Sequence, residues 1–420
     1  MKKNVLVFPC GSEIGLEINR SLKFSKDFKI FGASSVDDHG RLVYENYISD
    51  VPHVDDDNFI KEVNEIVKKH SIDFIFPAHD SVVLKLSQYR DKLNAKVVTS
   101  PHATCNICRS KSKTYEFFGN TLETPAVYDI NDSFDFPVFL KPDIGQGSRG
   151  VLRASSLEEV KSYIKKDSSL LILDYLPGKE YTVDCFTNKK GELLFAQGRE
   201  RIRIMNGISV DTKPVENIEF LKIAQKINEK LKFQGLWFFQ IKENSNKKLA
   251  LLEIAPRGAG TMEICRMQGV NLPLLSLYDQ MGIDIIIIKN NFDIELDRAL
   301  SAKFRIDITY KNVYVDLDDA IIFDGRVNEP LIAFLYKSIN RGKRIILISK
   351  HIKDIKETLK KNRISLNIFD EIIPIGKGEE KSEHMKNNSI FIDDSFSERK
   401  KVFDKLGIPV FDVNEIVQLN

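Results

Sequence analysis

The chain has 420 residues, 42% apolar and 29% charged, with a formal net charge of +2. That length gives room for about two to four domains, each with its own core. The balanced charge supplies no bulk field for nucleic acid or an anionic membrane, and five cysteines are too few for a disulfide scaffold.

In chain order, the apolar run after Met1 to Asn4 is too short for a signal peptide and meets Pro9 and Gly11 at once. The run Ile285 to Ile288 is too short to span a bilayer, so the expected compartment is the cytoplasm. Val5 to Phe8 reads as a buried strand, and Cys10 to Gly15 as a turn into a helix ending at Leu22. That loop lacks the full dinucleotide fingerprint and reads as a structural turn. Lys29 to Gly32, Phe74 to Pro77 and Lys96 to Thr99 continue the strands, with a helix over Phe59 to His70. Strands alternating with helices predict a doubly wound parallel sheet. Asp80, just after the third strand, Phe74 to Pro77, has two readings: a carboxylate at the ligand edge of the sheet, or a helix cap.

A helix is expected over Thr104 to Phe118, and the Cys105/Cys108 spacing on it reads as chance, with no second pair to complete a metal site. Phe136 to Val151 then reads as a strand delivering Lys141, a loop with Gly145, Gly147 and Gly150, and a return strand. Glycines let backbone N–H groups approach an anion, Ser148 adds a donor and Lys141 a charge, so the hairpin suits a polyphosphate. A surface turn would have the same composition. Further on, the pattern gives a helix over Ser156 to Lys165, a strand from Leu171, and an antiparallel pair Tyr181 to Phe186 with Leu193 to Gln197. A separate basic strand, Arg199 to Arg203, ends in the turn Asn206-Gly207. A helix over Ile218 to Leu231 precedes the paired strands Leu236 to Ile241 and Lys248 to Ile254, the second carrying Glu253 and leading to Arg257.

Periodicity weakens over residues 290–312, and a new strand–helix rhythm follows. Val313 to Asp319 is a strand tipped with acids. Glu329 to Arg341 is a helix, Arg344 to Ser349 a strand, and Ile352 to Lys361 a helix. Ile390 to Asp394 is another acid-tipped strand, and Pro409 to Val413 closes the set. Expected domains are 1–101, 102–305 and 306–420.

The ordered set Lys111, Phe139 to Lys141, Gly145 to Gly150, Asp174 to Glu180, Gln240 and Glu253 to Arg257 resembles the ATP-grasp superfamily. The likeness is to its carbamoyl-phosphate-synthetase-like and amino-acid-ligase-like members. It implies an α/β chain with a βα domain ahead of α+β grasp domains. It also implies that Lys111 and Lys141 hold ATP phosphates under the loop of Gly145, Gly147, Ser148 and Gly150. Asp174 to Leu176 would meet adenine and Glu180 the ribose. Gln240 and Glu253 would bind Mg2+, and Arg257 would meet the transferred phosphoryl group. Ala255 stands where an asparagine ligand is common, Asp174 where glutamate is common, and Ser110 where aspartate is common. The implied reaction joins a small-molecule carboxylate to an amine through an acyl phosphate. Arg201 or Arg203 is a candidate for a substrate carboxylate, as is Arg266. A basic outer strand face accounts for the first two equally well.

Asp316 to Asp319, Ser349, Lys381, Asp393 and Asp394 resemble the haloacid-dehalogenase-like phosphatases, with Ala320 where threonine or valine is usual. The resemblance implies a Rossmann-like domain without a large cap. Asp316 would be the nucleophile and Asp318 the general acid and base. Ser349 and Lys381 would hold the phosphoryl group, and Asp316, Asp318, Asp393 and Asp394 would surround Mg2+. The pairing suggests a bifunctional enzyme whose ligase substrate or product carries a phosphate ester, as in surface-polysaccharide tailoring. The alternatives are a small-molecule kinase or a nucleotide-binding scaffold with silent sites. A homodimer is the default expectation.

Overall fold

The structure is a computed structural model that describes residues 1–145 and 150–416. It divides into two compact units, Met1–Leu300 and Ser301–Asn420. Among the described residues, no helix is long and apolar enough to cross a membrane.

The first unit begins with five parallel strands in the order Asn46–Ile48, Phe28–Ala33, Lys3–Phe8, Phe74–Pro77, Lys96–Val97. The central strand is apolar throughout because both of its faces are covered: Val5 and Val7 pack into one cluster, Leu6 and Phe8 into another. The strand order reverses between Lys3–Phe8 and Phe74–Pro77. Ser12 and the His79–Asp80 corner therefore sit at the carboxyl ends on either side of the crevice where such sheets receive ligands. The fourth predicted strand is shorter than Lys96 to Thr99; pairing stops at Val97.

An antiparallel sheet follows, in the order Val127–Tyr128, Leu170–Asp174, Val138–Pro142, Leu152–Ala154. Val138 and Leu140 face a small core with Ile172 and Val160, which turns Phe139 and Lys141 to the other side. The third sheet has six antiparallel strands: Leu249–Ala255, Gly235–Glu243, Glu180–Thr187, Leu193–Met205, Ile208–Pro214 and Leu296–Asp297. One face packs Val183, Trp237 and Phe239 on Phe220, Ala224 and Ile227, the latter three from the helix Ile218–Lys230.

Two sequence expectations are corrected here. The helix over Thr104 to Phe118 is two helices, His102–Arg109 and Lys111–Phe118. Ser110 between them is extended (φ −114°, ψ 128°), and its hydroxyl caps the second helix by accepting from the Lys113 N–H. The basic strand Arg199 to Arg203 is not separate from Leu193 to Gln197. Both belong to one thirteen-residue strand, Leu193–Met205, whose pairing with Ile208–Pro214 shifts register near Arg201 and Arg203.

The second unit holds a five-stranded parallel sheet in the order Glu371–Pro374, Arg344–Ser349, Asn312–Val315, Ser389–Ile392, Val410–Phe411. Val313 and Val315 pack to one face and Tyr314 to the other. Because Asn312–Val315 is central, Asp316, Ser349 and Asp393 emerge side by side at the carboxyl edge. The helix expected from Ile352 begins at Ile355, with Asp354 as its cap.

Candidate active sites

In the first unit a cavity of about 930 Å³ lies over the third sheet, walled by the lysine hairpin and by the carboxyl edge of the first sheet. Its floor is a row of directly paired residues on four adjacent strands: Glu253 opposite Gln240, Gln240 opposite Thr182, Thr182 opposite Arg199. Directly opposed residues of antiparallel strands share a face, and all four line the cavity.

Lys141 enters from the second sheet, with its ammonium 5.2 Å from the centre of the Phe139 ring. Burial pulls its pKa below the ordinary lysine value, and Glu253 and Glu180 pull the other way. Lys111 opens its helix directly after Ser110, and its ammonium donates to the carbonyls of Pro142 (3.1 Å) and Asp143 (3.3 Å). Burial lowers its pKa too, against Glu253 and Asp143. The Asp143 carboxylate accepts from Ser110 Oγ (2.8 Å) and the Ser112 N–H (2.8 Å), so the base of the glycine loop is tied to this helix start. Gly145 and Gly150 flank the loop, Gly150 at φ +70°, where a side chain would be strained. Gly147 and Ser148 lie outside the described residues.

Asp174 and Leu176 line the far wall; the Asp174 carboxylate accepts from the Ala126 N–H (2.9 Å) and Tyr128 OH (2.6 Å). Glu180 accepts from Arg201 Nη1 at 2.6 Å and lies 3.7 Å from Lys242 Nζ. Arg257 makes a two-point pair with Asp80, at 2.6 and 2.7 Å, and lies 5.1 Å from the centre of the Phe238 ring. Asp80 is not a helix cap: the His79 ring accepts from the Ser81 N–H, and the Asp80 carboxylate is spent on Arg257. Burial alone would raise the Asp80 pKa, but Arg257 outweighs it and holds the carboxyl below its ordinary value.

The three substrate arginines do not behave alike. Arg201 is on the cavity wall but is engaged by Glu180 and the Gly207 carbonyl (2.8 Å). Arg203 is exposed and bonded to Asp297 (2.7 Å), and Arg266 is bonded to buried Glu17 (2.8 Å); neither lines the cavity. Sequence reading passed over Arg199, which is 1% exposed and donates Nε to equally buried Asp184 at 2.7 Å. It also passed over Arg298, which pairs with Glu13 and donates to the Gly260 and Ser209 carbonyls. Arg199 has the same alternating register as Arg201, so the sequence carried a signal for it. The Arg298–Glu13 contact joins distant segments and left none.

In the second unit Lys381 is 3% exposed, with its ammonium 2.8 Å from Asp316 and 2.7 Å from Asp393. Oxygens of Asp316, Asp393 and Asp394 all lie within 4.8 Å of one another. Burial raises the Asp393 pKa to about 6 despite Lys381. Burial would lower that of Lys381, but Asp316 and Asp393 outweigh it and raise it. The buried Ser349 hydroxyl at the neighbouring strand end has no partner among the described residues. Asp318 is not part of the cluster of three. It is half-exposed and meets His351 Nδ1 at 2.9 Å, while His351 Nε2 meets Thr358 Oγ1 at 2.8 Å. His351 was not singled out in the sequence.

Residues 166–295 match a family model described as ATP-grasp in the biosynthetic pathway with Ter operon. The chain is 28% identical over 163 residues to the D-alanine–D-alanine ligase of Thermotoga petrophila, covering 36% of this chain and 52% of that one. It is 22% identical over 280 residues to the arginine-specific large chain of carbamoyl phosphate synthase from Halalkalibacterium halodurans, covering 60% of this chain and 26% of that one. The chain thus spans about half, or less, of the length of these curated relatives. Among solved structures, the biotin carboxylase domain of Hydrogenobacter thermophilus 2-oxoglutarate carboxylase, determined with MgADP and bicarbonate, aligns with a TM-score of 0.58 at 14% identity. That alignment covers 69% of this chain and 72% of that one. The sequence relatives and the structural likeness agree on a mixed α/β, ATP-grasp-like fold.

Proposed function

We propose that the Met1–Leu300 unit is an ATP- and Mg2+-dependent carboxylate–amine ligase, and that Ser301–Asn420 is a Mg2+-dependent phosphatase of the haloacid-dehalogenase-like type. The first unit is read as a βα domain, 1–101, leading into a grasp domain from 102. The observation that carries the ligase reading is the convergence of Lys111, Lys141, Glu180, Gln240 and Glu253 on one cavity of about 930 Å³. Pockets for drug-sized ligands run to roughly 1,000 Å³, so nucleotide and a small substrate fit together.

Each residue then has a chemical task. Lys141 meets the phosphates, and Lys111 exchanges its two loop carbonyls for phosphate oxygens. Asp174 to Leu176 border the adenine and Glu180 the ribose. Gln240 and Glu253 offer paired oxygens on adjacent strands, which suits a cation that takes oxygen ligands and shares the rest with phosphate. Mg2+, when bound, offsets the charge that develops on the transferred group. A carboxylate oxygen of the acid attacks the γ-phosphorus as the bond to the bridging oxygen breaks and ADP leaves. The amine nitrogen then attacks the acyl carbon, inorganic phosphate leaves, and the amine gives up a proton. Arg257, fixed by Asp80, keeps N–H groups for the transferred phosphoryl group.

In the second unit the clustered oxygens of Asp316, Asp393 and Asp394 suit a magnesium ion. Asp316 attacks the phosphate ester, Asp318 protonates the leaving oxygen and then activates water, and Ser349 and Lys381 hold the phosphoryl oxygens. The ester belongs to a substrate or product of the ligase.

With hydroxylamine as nucleophile, Lys141→Ala and Glu253→Gln should each lower acid-dependent ADP and hydroxamate formation by about 100-fold or more. Asp316→Asn should abolish p-nitrophenyl phosphate hydrolysis and leave hydroxamate formation intact. A Lys141→Ala protein of unchanged ligase rate would refute the first assignment. Hydrolysis retained by Asp316→Asn would refute the second. Product phosphorylated but never joined to the nucleophile would favour the kinase.

A further inference from the structure

The floor row Glu253–Gln240–Thr182–Arg199 runs from the proposed magnesium end of the cavity to a buried guanidinium. Adjacent strands lie about 4.8 Å apart, so Arg199 stands two strands, roughly 10 Å across the sheet, beyond Gln240. Its side chain is 1% exposed, its Nε is committed to Asp184, and its Nη1 has no acceptor among the described residues. A buried donor left unmade is costly, and guanidinium is built for two-point contact with an oxyanion.

Arg201 also keeps a buried Nε without an acceptor among the described residues, but both of its terminal nitrogens are taken, whereas the Arg199 Nη1 is not. Arg201 is divided between Glu180 and Gly207, and Arg298 between Glu13 and the carbonyls of Ser209 and Gly260. Asp184 holds the Arg199 Nε through Oδ2, and its own buried Oδ1 has no donor among the described residues. Thr182, next in the row, adds a hydroxyl on the same face.

We propose that Arg199 receives a second anionic group of the acid substrate, so that the ligase selects dianionic acids: one carboxylate reacts, and a carboxylate or phosphate monoester lies at the far end of the floor. This rests on the ligase reading, and it assigns the anion to Arg199 rather than to Arg201, Arg203 or Arg266. Arg199 is a specificity residue that acts on binding of the acid.

The test is calorimetric titration of the full chain, loaded with magnesium and a non-hydrolysable ATP analogue. Glutarate, 3-phosphopropionate and the monoanion pentanoate are the probes. Binding of glutarate or 3-phosphopropionate at least tenfold tighter than pentanoate supports the proposal, and which of the two wins identifies the anion. Arg199→Gln should erase the difference, and Arg199→Lys should restore part of it. The double variant Asp184→Asn/Arg199→Gln carries the test if the single variant does not fold, because it removes both buried charges. Equal binding of mono- and dianions, no binding of either dianion, or a preference that survives loss of Arg199 overturns the proposal. The ligase reading fails separately, if the analogue does not bind or if no acid yields hydroxamate.

Discussion

Asp80 and Arg257 are far apart in sequence yet form a two-point ion pair on the cavity wall. The pairing gives a signed acid dependence. Arg257 holds the folded-state Asp80 pKa below the ordinary 3.8. Its contribution to stability is therefore complete above that value and is lost as pH falls through the lower folded value. Urea unfolding between about pH 5 and 2 should show a steeper loss in the wild type than in Asp80→Asn, which starts less stable at neutral pH. Identical slopes would remove Asp80 from the acid limb. At this scale the sequence was only half legible. Lys141 and Glu253 could be picked out at the ends of apolar strands, Lys111 and Gln240 only through the ATP-grasp resemblance, and the structure brings all four to one cavity. Of the partners that orient the wall, Asp80 for Arg257 and Glu13 for Arg298 could not be picked out, because charge complementarity across long sequence separations leaves no local trace; Asp184 for Arg199, 15 residues apart on paired strands, needed the strand register. In the sequence Asp80 is marked only by its place after a strand, and Arg257 gives it its role.

Ser110 carries an element-scale consequence. Apolar spacing runs through it, so periodicity predicts one helix where the chain makes two. What breaks the helix is side-chain chemistry: the hydroxyl caps Lys111–Phe118 and also bonds Asp143 at the base of the glycine loop. A serine that offers the backbone an alternative partner is favoured at a cap and not in a helix interior. Ser110→Ala should cost about 1–2 kcal/mol, as for loss of an N-cap, measured as a shift in denaturation midpoint. It should also raise the KM for ATP, since Lys111 occupies the first helical turn; an unchanged KM would separate the cap from nucleotide binding. The strand Leu193–Met205 is the converse case. Its basic half looked like a new element because composition changes at Arg199, but hydrogen bonding to Glu180–Thr187 carries on through the change.

On the scale of the whole molecule, the two units keep separate hydrophobic clusters, with Val7 and Ile18 in one and Val315 and Leu347 in another. Fragments 1–300 and 301–420 should each show cooperative unfolding of its own. Acid-dependent ADP release should follow the first, and phosphomonoester hydrolysis the second. A fragment with no transition, or an activity that needs both, would overturn that division. The alternation of strands and helices made the parallel sheet of each unit readable in advance, apart from the edge strands Asn46–Ile48 and Glu371–Pro374, because parallel strands buried on both faces need uninterrupted apolar runs. The position of Lys381 adds a consequence for how the second unit tolerates its surroundings. Clustered carboxylates ordinarily drive one another apart, and many such centres hold their shape only while an ion occupies them. Here an ammonium covalently part of the chain stands between Asp316 and Asp393. The centre carries part of its own counter-charge, so under the proposed phosphatase reading scarcity of the ion would silence this unit before loosening it.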